Sequence, residues 1–189
     1  MAAGLAHLEA LAIIAEAFAD DPLVSSCGVA SRELASLGVR DNHLYLLNSM
    51  GAVGPTALGL ALGLEGRVVA AVEGDGGFLM GLGALATVGM VRPRGLVWLV
   101  VDNGAHCSTG GQPTAAAVVD LGALAEAAGL LVLRASDAAG LRAALVEARG
   151  LAATGPVFVH VRTTPEVVPT PYFQPDAAVL SDRFQRAIR

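Results

Sequence analysis

The chain has 189 residues, 54% of them apolar and only 15% charged, with a formal net charge of −5. That is ample length for one packed domain, and the acidic balance without a basic run argues against a nucleic-acid partner. All 12 basic residues are arginine, which excludes from this chain a Schiff-base lysine and the lysine of a Walker-type phosphate loop.

In chain order, His7 to Ala19 reads as a helix with Leu8, Leu11, Ala12, Ala15 and Phe18 on one face. His7, Glu9 and Glu16 break it too often for a secretory signal, and His7 is expected on its surface. Leu23 to Ser26 is a short strand with Gly28 as the turn after it. Ser31 is expected to cap a short helix through Ser31-Arg32-Glu33-Leu34, ending near Gly38. His43 to Leu47 is a second strand, followed by the loop Asn48-Ser49-Met50-Gly51. Leu46 to Leu64 is uncharged and long enough to suggest a membrane span. Asn48, Ser49, Pro55 and its glycines divide it instead into a loop and a buried helix, so no membrane is expected.

Arg67 to Val72 reads RVVAAV, with no room for a wet face, and suits a strand covered on both sides. It ends in Glu73-Gly74-Asp75-Gly76-Gly77, and Phe78 to Val91 carries helix formers without proline, predicting one helix. Leu96 to Val101 is the next strand and delivers Asp102-Asn103-Gly104-Ala105 at its carboxyl end. Gln112 to Val119 shows no clear period and reads as a loop. Asp120 caps a helix to Ala128 that Gly129 closes, Leu130 to Arg134 is a strand, and Asp137 caps a helix to Arg149. Val157 to Arg162 is the last strand. Thr163 to Pro175 holds four prolines and predicts an extended strap, and Asp176 to Arg189 a final helix on this domain's surface or on a partner. The expected division is residues 1–163 as a ligand-binding domain and 164–189 as strap and helix.

Six apolar strands with helices between them predict an α/β fold, a three-layer α/β/α sandwich around a six-stranded parallel sheet. Ligands of such sheets sit outside the carboxyl ends of the strands, where Gly28, Asn48 to Gly51, Gly74 to Gly77 and Asn103 to Gly111 fall together. A glycine-rich strand-to-helix turn presents backbone N–H groups to a phosphate. Asp75 and Asn103 add a carboxylate and an amide oxygen, an oxygen-only set of the kind Mg²⁺ accepts. The plainer alternative is an ordinary βαβ unit in which Asp75 is only a helix N-cap. Cys27 and Cys107 are too few for a disulfide framework, which suits a cytoplasmic protein.

Gly74-Asp75-Gly76, a helix, a strand and then Asn103 resemble the diphosphate-binding signature of thiamine diphosphate enzymes, with Asp102-Asn103 where an Asn-Asn pair is usual. The resemblance extends over nearly the whole chain to the branch of those decarboxylases that acts on phosphonopyruvate and sulfopyruvate. Ser31-Arg32-Glu33-Leu34, Ser49-Met50-Gly51 and Asp102-Asn103-Gly104-Ala105-His106 carry it, together with Ser108-Thr109-Gly110-Gly111-Gln112-Pro113-Thr114. It implies thiamine diphosphate and Mg²⁺ as cofactors, the metal held by the side chains of Asp75 and Asn103 and the carbonyl of Ala105. It further implies cofactor contacts from Asn48, Ser49, Met50, Gly51, Gly74, Gly76, Gly77, His106, Ser108 and Thr109. By the same resemblance Met50 would be the wedge that bends the cofactor, and the Asn48 carbonyl an acceptor for its aminopyrimidine N–H. Gly77 stands where many relatives carry serine or alanine, and Cys107 where an acidic or small residue is expected.

Other readings stand beside these. Met50 could be a core methionine, and His106 could be either a catalytic proton carrier or a hydrogen-bonding support. Arg32 could meet an anionic substrate group or a partner's carboxylate. His43 and His160 read as structural. The family's diphosphate domain works against a pyrimidine-binding domain that supplies the activating glutamate, and no segment here is left over to build one. A two-subunit decarboxylase of a short anionic 2-oxoacid follows, with a separate alpha subunit carrying that domain. A carboligase subunit and a non-catalytic cofactor-binding subunit are the alternatives. A 2-oxoacid ferredoxin oxidoreductase is disfavoured, because two lone cysteines give no iron–sulfur pattern.

Overall fold

A computed structural model of the chain describes residues 4–189. The elements are α1 (His7–Ala17), β1 (Leu23–Ser25), α2 (Val29–Ser36), β2 (His43–Tyr45), α3 (Val53–Gly63), β3 (Val69–Gly74), α4 (Asp75–Met80), α5 (Gly83–Val91) and β4 (Leu96–Asp102). There follow β5 (Ala105–His106), β6 (Gln112–Pro113), a 3-10 turn (Ala115–Ala117), α6 (Leu121–Ala127), β7 (Leu131–Ala135), α7 (Ala138–Leu151), β8 (Val157–Arg162) and α8 (Ala177–Ala187).

Six strands form one sheet in the order β2-β1-β3-β4-β8-β7, and every pairing in it is parallel. The period of two along each strand sorts the apolar residues into two cores. Ala70, Val72, Val97, Leu99, Val101, Val157, Val159 and Val161 face α1, α2 and α7. Val69, Ala71, Leu96, Trp98, Val100 and Phe158 face α3, α4, α5 and α6. Strands that serve both cores have no wet face, which is why they read as unbroken apolar runs.

The chain leaves β1 for the outer strand β2 and comes back to pair β3 on the other side of β1. The helices that follow β1 and β3 then pack on opposite faces, α2 on the first core and α4 on the second. A crevice must open between the carboxyl ends of β1 and β3, the place where such sheets bind ligands.

Several local expectations are corrected. Phe78 to Val91 is not one helix but α4 and α5, broken at Gly81-Leu82. The break lets the chain approach the loop after β2: a Cβ on Gly81 would lie 3.0 Å from the Gly51 carbonyl carbon and collide with its oxygen. Ser31 is not a cap, because α2 already starts at Val29 behind Gly28, whose φ of 83° only glycine adopts freely. The Ser31 hydroxyl instead donates to the Ser26 carbonyl and ties α2 to the end of β1. Gln112 to Val119 is partly regular, since β6 pairs antiparallel with β5 and the 3-10 turn follows. Asp120 and Asp137 do cap their helices, and Asp176 caps α8 as well, each accepting backbone N–H groups of the first turn.

The proline-rich segment runs extended from β8, and α8 lies against the β2 edge of the chain's own sheet. Leu180 and Phe184 are its buried residues, Arg183 pairs with Asp41, and Arg67 donates to the Ile188 carbonyl. No helix among the described residues is long and apolar enough to cross a membrane.

Candidate functional site

A cavity of about 100 Å³ opens at that crevice. The end of β1 lines it with Ser26 to Ala30, the turn after β3 with Gly74 to Gly77, and the segment after β4 with Asn103 and Ala105 to Ser108. Met50 reaches it from the loop after β2. The four loops that the sequence places at one sheet edge therefore meet. Asn48 lines a neighbouring cavity with Arg32. Ser49, Gly51 and Thr109 line neither. The Ser49 hydroxyl donates to the Leu47 carbonyl, Thr109 to Gln112 and the His106 carbonyl, and Gly51 meets Gly81.

Asp75 is the first residue of α4, behind Gly74, so its side chain is not the helix N-cap. It is 2% exposed. Its Oδ2 accepts a hydrogen bond from the Thr114 hydroxyl, and among the described residues no arginine or histidine pairs with it. Burial pushes its carboxyl above the usual range, opposed by the Thr114 hydrogen bond, with the negative charge of Asp102 adding to the rise. A buried carboxylate without a counter-charge is costly, and a bound cation would repay that cost.

The loop after β4 is held so that its oxygens stay available. Asp102 is buried and spent on structure: Oδ1 accepts the Gly104 N–H at 3.0 Å, and Oδ2 lies 2.8 Å from His160 Nε2 and 3.3 Å from Arg162 Nη1. Asn103 Oδ1 accepts the Ala105 N–H at 3.1 Å, and its amide donates to Cys107 Sγ at 3.3 Å. The Ala105 carbonyl accepts the Cys107 N–H at 3.1 Å. Each of these two oxygens keeps a second lone pair for a metal. With Asp75 they could supply one carboxylate, one amide and one carbonyl, the hard donors that suit Mg²⁺ completed by diphosphate oxygens and water. Among the described residues no group of three or more His, Cys, Asp or Glu converges on a metal position, so a thiolate or imidazole centre is not built here.

Gly76 lies tight against its neighbours. A Cβ there would lie 2.7 Å from His106 Nδ1 and 3.3 Å from the Met50 methyl. His106 and Met50 therefore both reach the turn. Met50 is 38% exposed, which places it at the rim and not in the core. Beneath the turn lies Trp98, packed on Phe78 and Phe158, with no space for a side chain at Gly54. Trp98 Nε1 donates to Glu73 Oε1 at 2.8 Å, while Glu73 Oε2 is buried without a partner among the described residues. Burial raises the Glu73 carboxyl to about 7, against the lowering effect of the indole hydrogen bond. A Cβ on Gly77 would stand 2.9 Å from that free oxygen, so Glu73 fills the space a serine or alanine would need. Burial also pushes the Cys107 thiol up, which disfavours the reactive thiolate.

Sequence reasoning missed several residues. His7 is not on the helix surface but buried, lining the cavity with Nδ1 2.5 Å from Glu33 Oε2. Nothing in a helical period marks a first-turn histidine as buried. Thr114 closes a segment singled out for its composition, yet its bond to Asp75 spans 39 positions and is visible only in the fold.

Comparison with known proteins gives a consistent picture. Residues 30–161 match the thiamine pyrophosphate enzyme C-terminal TPP binding domain. The chain is 38% identical over 185 residues to sulfopyruvate decarboxylase subunit beta of Methanothermobacter thermautotrophicus, covering 98% of this chain and 96% of that one. It is 46% identical over 162 residues to phosphonopyruvate decarboxylase of Streptomyces viridochromogenes, covering 85% of this chain but only 40% of the longer relative. Among solved structures, benzoylformate decarboxylase from Polynucleobacter necessarius superposes with a TM-score of 0.73 at 21% identity, over 86% of this chain and 34% of that one.

Proposed function

This chain belongs to the thiamine pyrophosphate enzymes, as their C-terminal TPP-binding domain, and on that premise we propose that it is the beta subunit of a two-subunit 2-oxoacid decarboxylase. Its substrate is a short 2-oxoacid with an anionic 3-substituent, sulfopyruvate or phosphonopyruvate, converted to the aldehyde and CO₂. The names of its relatives support the substrate class, and its near-complete coverage of a beta subunit supports the two-chain arrangement. The observation that carries the reading is Asp75, a carboxylate buried without a cation among the described residues, at the base of a glycine turn.

Asp75, Asn103 and the Ala105 carbonyl hold Mg²⁺ in this reading, and the backbone of Gly74 to Gly77 cradles the diphosphate. Thiamine diphosphate, when bound, supplies the electron sink that lets a 2-oxoacid lose CO₂. Met50 orients the cofactor from the rim, the Asn48 carbonyl accepts from its aminopyrimidine, and a His106 ring nitrogen stands beside the diphosphate turn to bond a diphosphate oxygen or relay a proton. Ser108 lies between the cofactor cavity and the Arg32 cavity, lining both. We assign residues 1–163 to cofactor binding and 164–189 to a strap and helix that clasp the β2 edge.

A cavity of about 100 Å³ is well below the roughly 300–1,000 Å³ of a complete small-molecule site. It takes the diphosphate and metal end, and leaves the rest of the cofactor to be enclosed by another surface. The two glutamates near the site are buried within the fold, each holding one carboxylate oxygen on a neighbour, Glu73 on Trp98 and Glu33 on His7. A separate alpha subunit with a pyrimidine-binding domain supplies both the missing wall and the activating glutamate.

Product analysis tests the reaction. The assembled complex, given sulfopyruvate and an added aldehyde acceptor, should release CO₂ and the simple aldehyde. A hydroxyketone as the main product would instead make it a carboligase.

A further inference from the structure

A second cavity, of about 280 Å³, lies beside the first. Cys27, Gly28 and Ser108 line both, so the two spaces adjoin at the end of β1. Arg32 of α2 forms one wall of the second, and Tyr172 and Gln174 of the proline-rich strap form another. Among the described residues its lining contains one cation and no carboxylate, in a chain whose net charge is −5. Arg32 makes no salt bridge among the described residues, and its Nε is buried without a hydrogen-bond partner. Arg32 as a whole is only half-buried and lines the cavity, so the outer N–H groups of its flat fork can meet an oxyanion there.

We propose that the Arg32 cavity is the subsite for the anionic 3-substituent of the substrate, a tetrahedral sulfonate or phosphonate group, and that the strap forms its outer wall. The proposal rests on the decarboxylase reading above. In a three-carbon 2-oxoacid the 3-substituent is two bonds from the reacting carbonyl carbon. Its subsite must therefore adjoin the cofactor cavity, as this one does. The fork of Arg32 pairs with two oxygens of an XO₃ group, and the Ser108 hydroxyl, which has no protein partner among the described residues, stands between the two spaces. Pyruvate, lacking the head group, leaves the guanidinium unpaired, so the same residue discriminates against it.

The test uses the assembled complex loaded with cofactor and Mg²⁺, titrated by calorimetry with 3-sulfopropanoate, 3-phosphonopropanoate and propanoate, none of which has a carbonyl to react. Wild type should bind the first two far better than propanoate, and the tighter of them identifies the head group. Arg32→Gln should weaken the preferred anion by roughly ten- to hundredfold, the worth of a charge-assisted pair, while cofactor affinity stays within about twofold. Arg32→Lys should restore part of the loss. In turnover, Arg32→Gln should raise KM for the 3-anionic substrate more than it changes kcat, and its preference over pyruvate should collapse. Unchanged anion affinity in Arg32→Gln overturns the subsite, even in a complex that decarboxylates normally. Arg32-dependent anion binding in a complex that releases no CO₂ keeps the subsite and removes the decarboxylase reading.

Discussion

Replacing Asp75 by asparagine separates a metal-binding carboxylate from a structural one. Asparagine keeps nearly the same shape and an oxygen to accept the Thr114 hydrogen bond, but removes the charge. Asp75 is 2% exposed, has no cation beside it among the described residues, and feels the negative charge of Asp102. In the cofactor-free protein that charge is a liability, so Asp75→Asn should unfold no more easily than wild type. A gain of roughly 1 kcal/mol is the usual scale when a functional compromise is removed. The raised carboxyl fixes the pH dependence of that gain. Stability in wild type is fully present below the ordinary carboxylate pKa and is lost as pH rises through the higher folded value, so the gain should grow with pH. With cofactor and Mg²⁺ at a hundred times their dissociation constant, wild type should gain about 2.7 kcal/mol. The variant should gain nothing under the same conditions. Urea unfolding of the complex, with and without ligands, measures both effects. A variant that is destabilised when empty, yet still stabilised by Mg²⁺ and cofactor, would refute the assignment of Asp75.

Two further outcomes are expected. Met50→Ala should lower kcat by more than it weakens cofactor affinity, because the proposed diphosphate and metal contacts lie elsewhere. Steady-state kinetics paired with cofactor titration reads this, and an unchanged kcat would make Met50 a packing residue. Burial, with Arg40 nearby, holds His43 down at about 4, against 6.5 for a free imidazole. Unfolding lets it take up a proton, so its share of stability is complete above pH 6.5 and is lost as pH falls through about 4. That share is about 3 kcal/mol. His43→Leu should therefore lose that much less than wild type in unfolding free energy between pH 7 and pH 4, and parallel losses would contradict the cause.

The sheet was legible because its strands are buried on both faces. RVVAAV and LVWLVV leave no reading other than a core strand, and the capping aspartates mark the helices between. The turn at Gly74-Asp75-Gly76 was legible because its chemistry is local, a few residues in a row. What stayed hidden depends on residues far apart in sequence. The helix break at Gly81 is set by the approach of Gly51, and the burial of His7 by Glu33 on another helix. The Thr114 hydroxyl on Asp75 crosses from the segment after β6. Arg32 could be read from sequence as a partner's ion pair or a substrate contact, and only the fold puts it beside the strap and next to the cavity at the crevice between β1 and β3.

The central claim is that this chain is the diphosphate half of a split active site, and complementation tests it most directly. CO₂ release from sulfopyruvate or phosphonopyruvate should be measured with saturating thiamine diphosphate and Mg²⁺, first with this chain alone and then with a pyrimidine-binding alpha subunit added. The account predicts no turnover from the chain alone and turnover that rises with the alpha subunit until the two are equimolar. Decarboxylation at a full catalytic rate by the homogeneous chain alone would contradict it, since the activating acid and the missing wall would then both lie within these 189 residues.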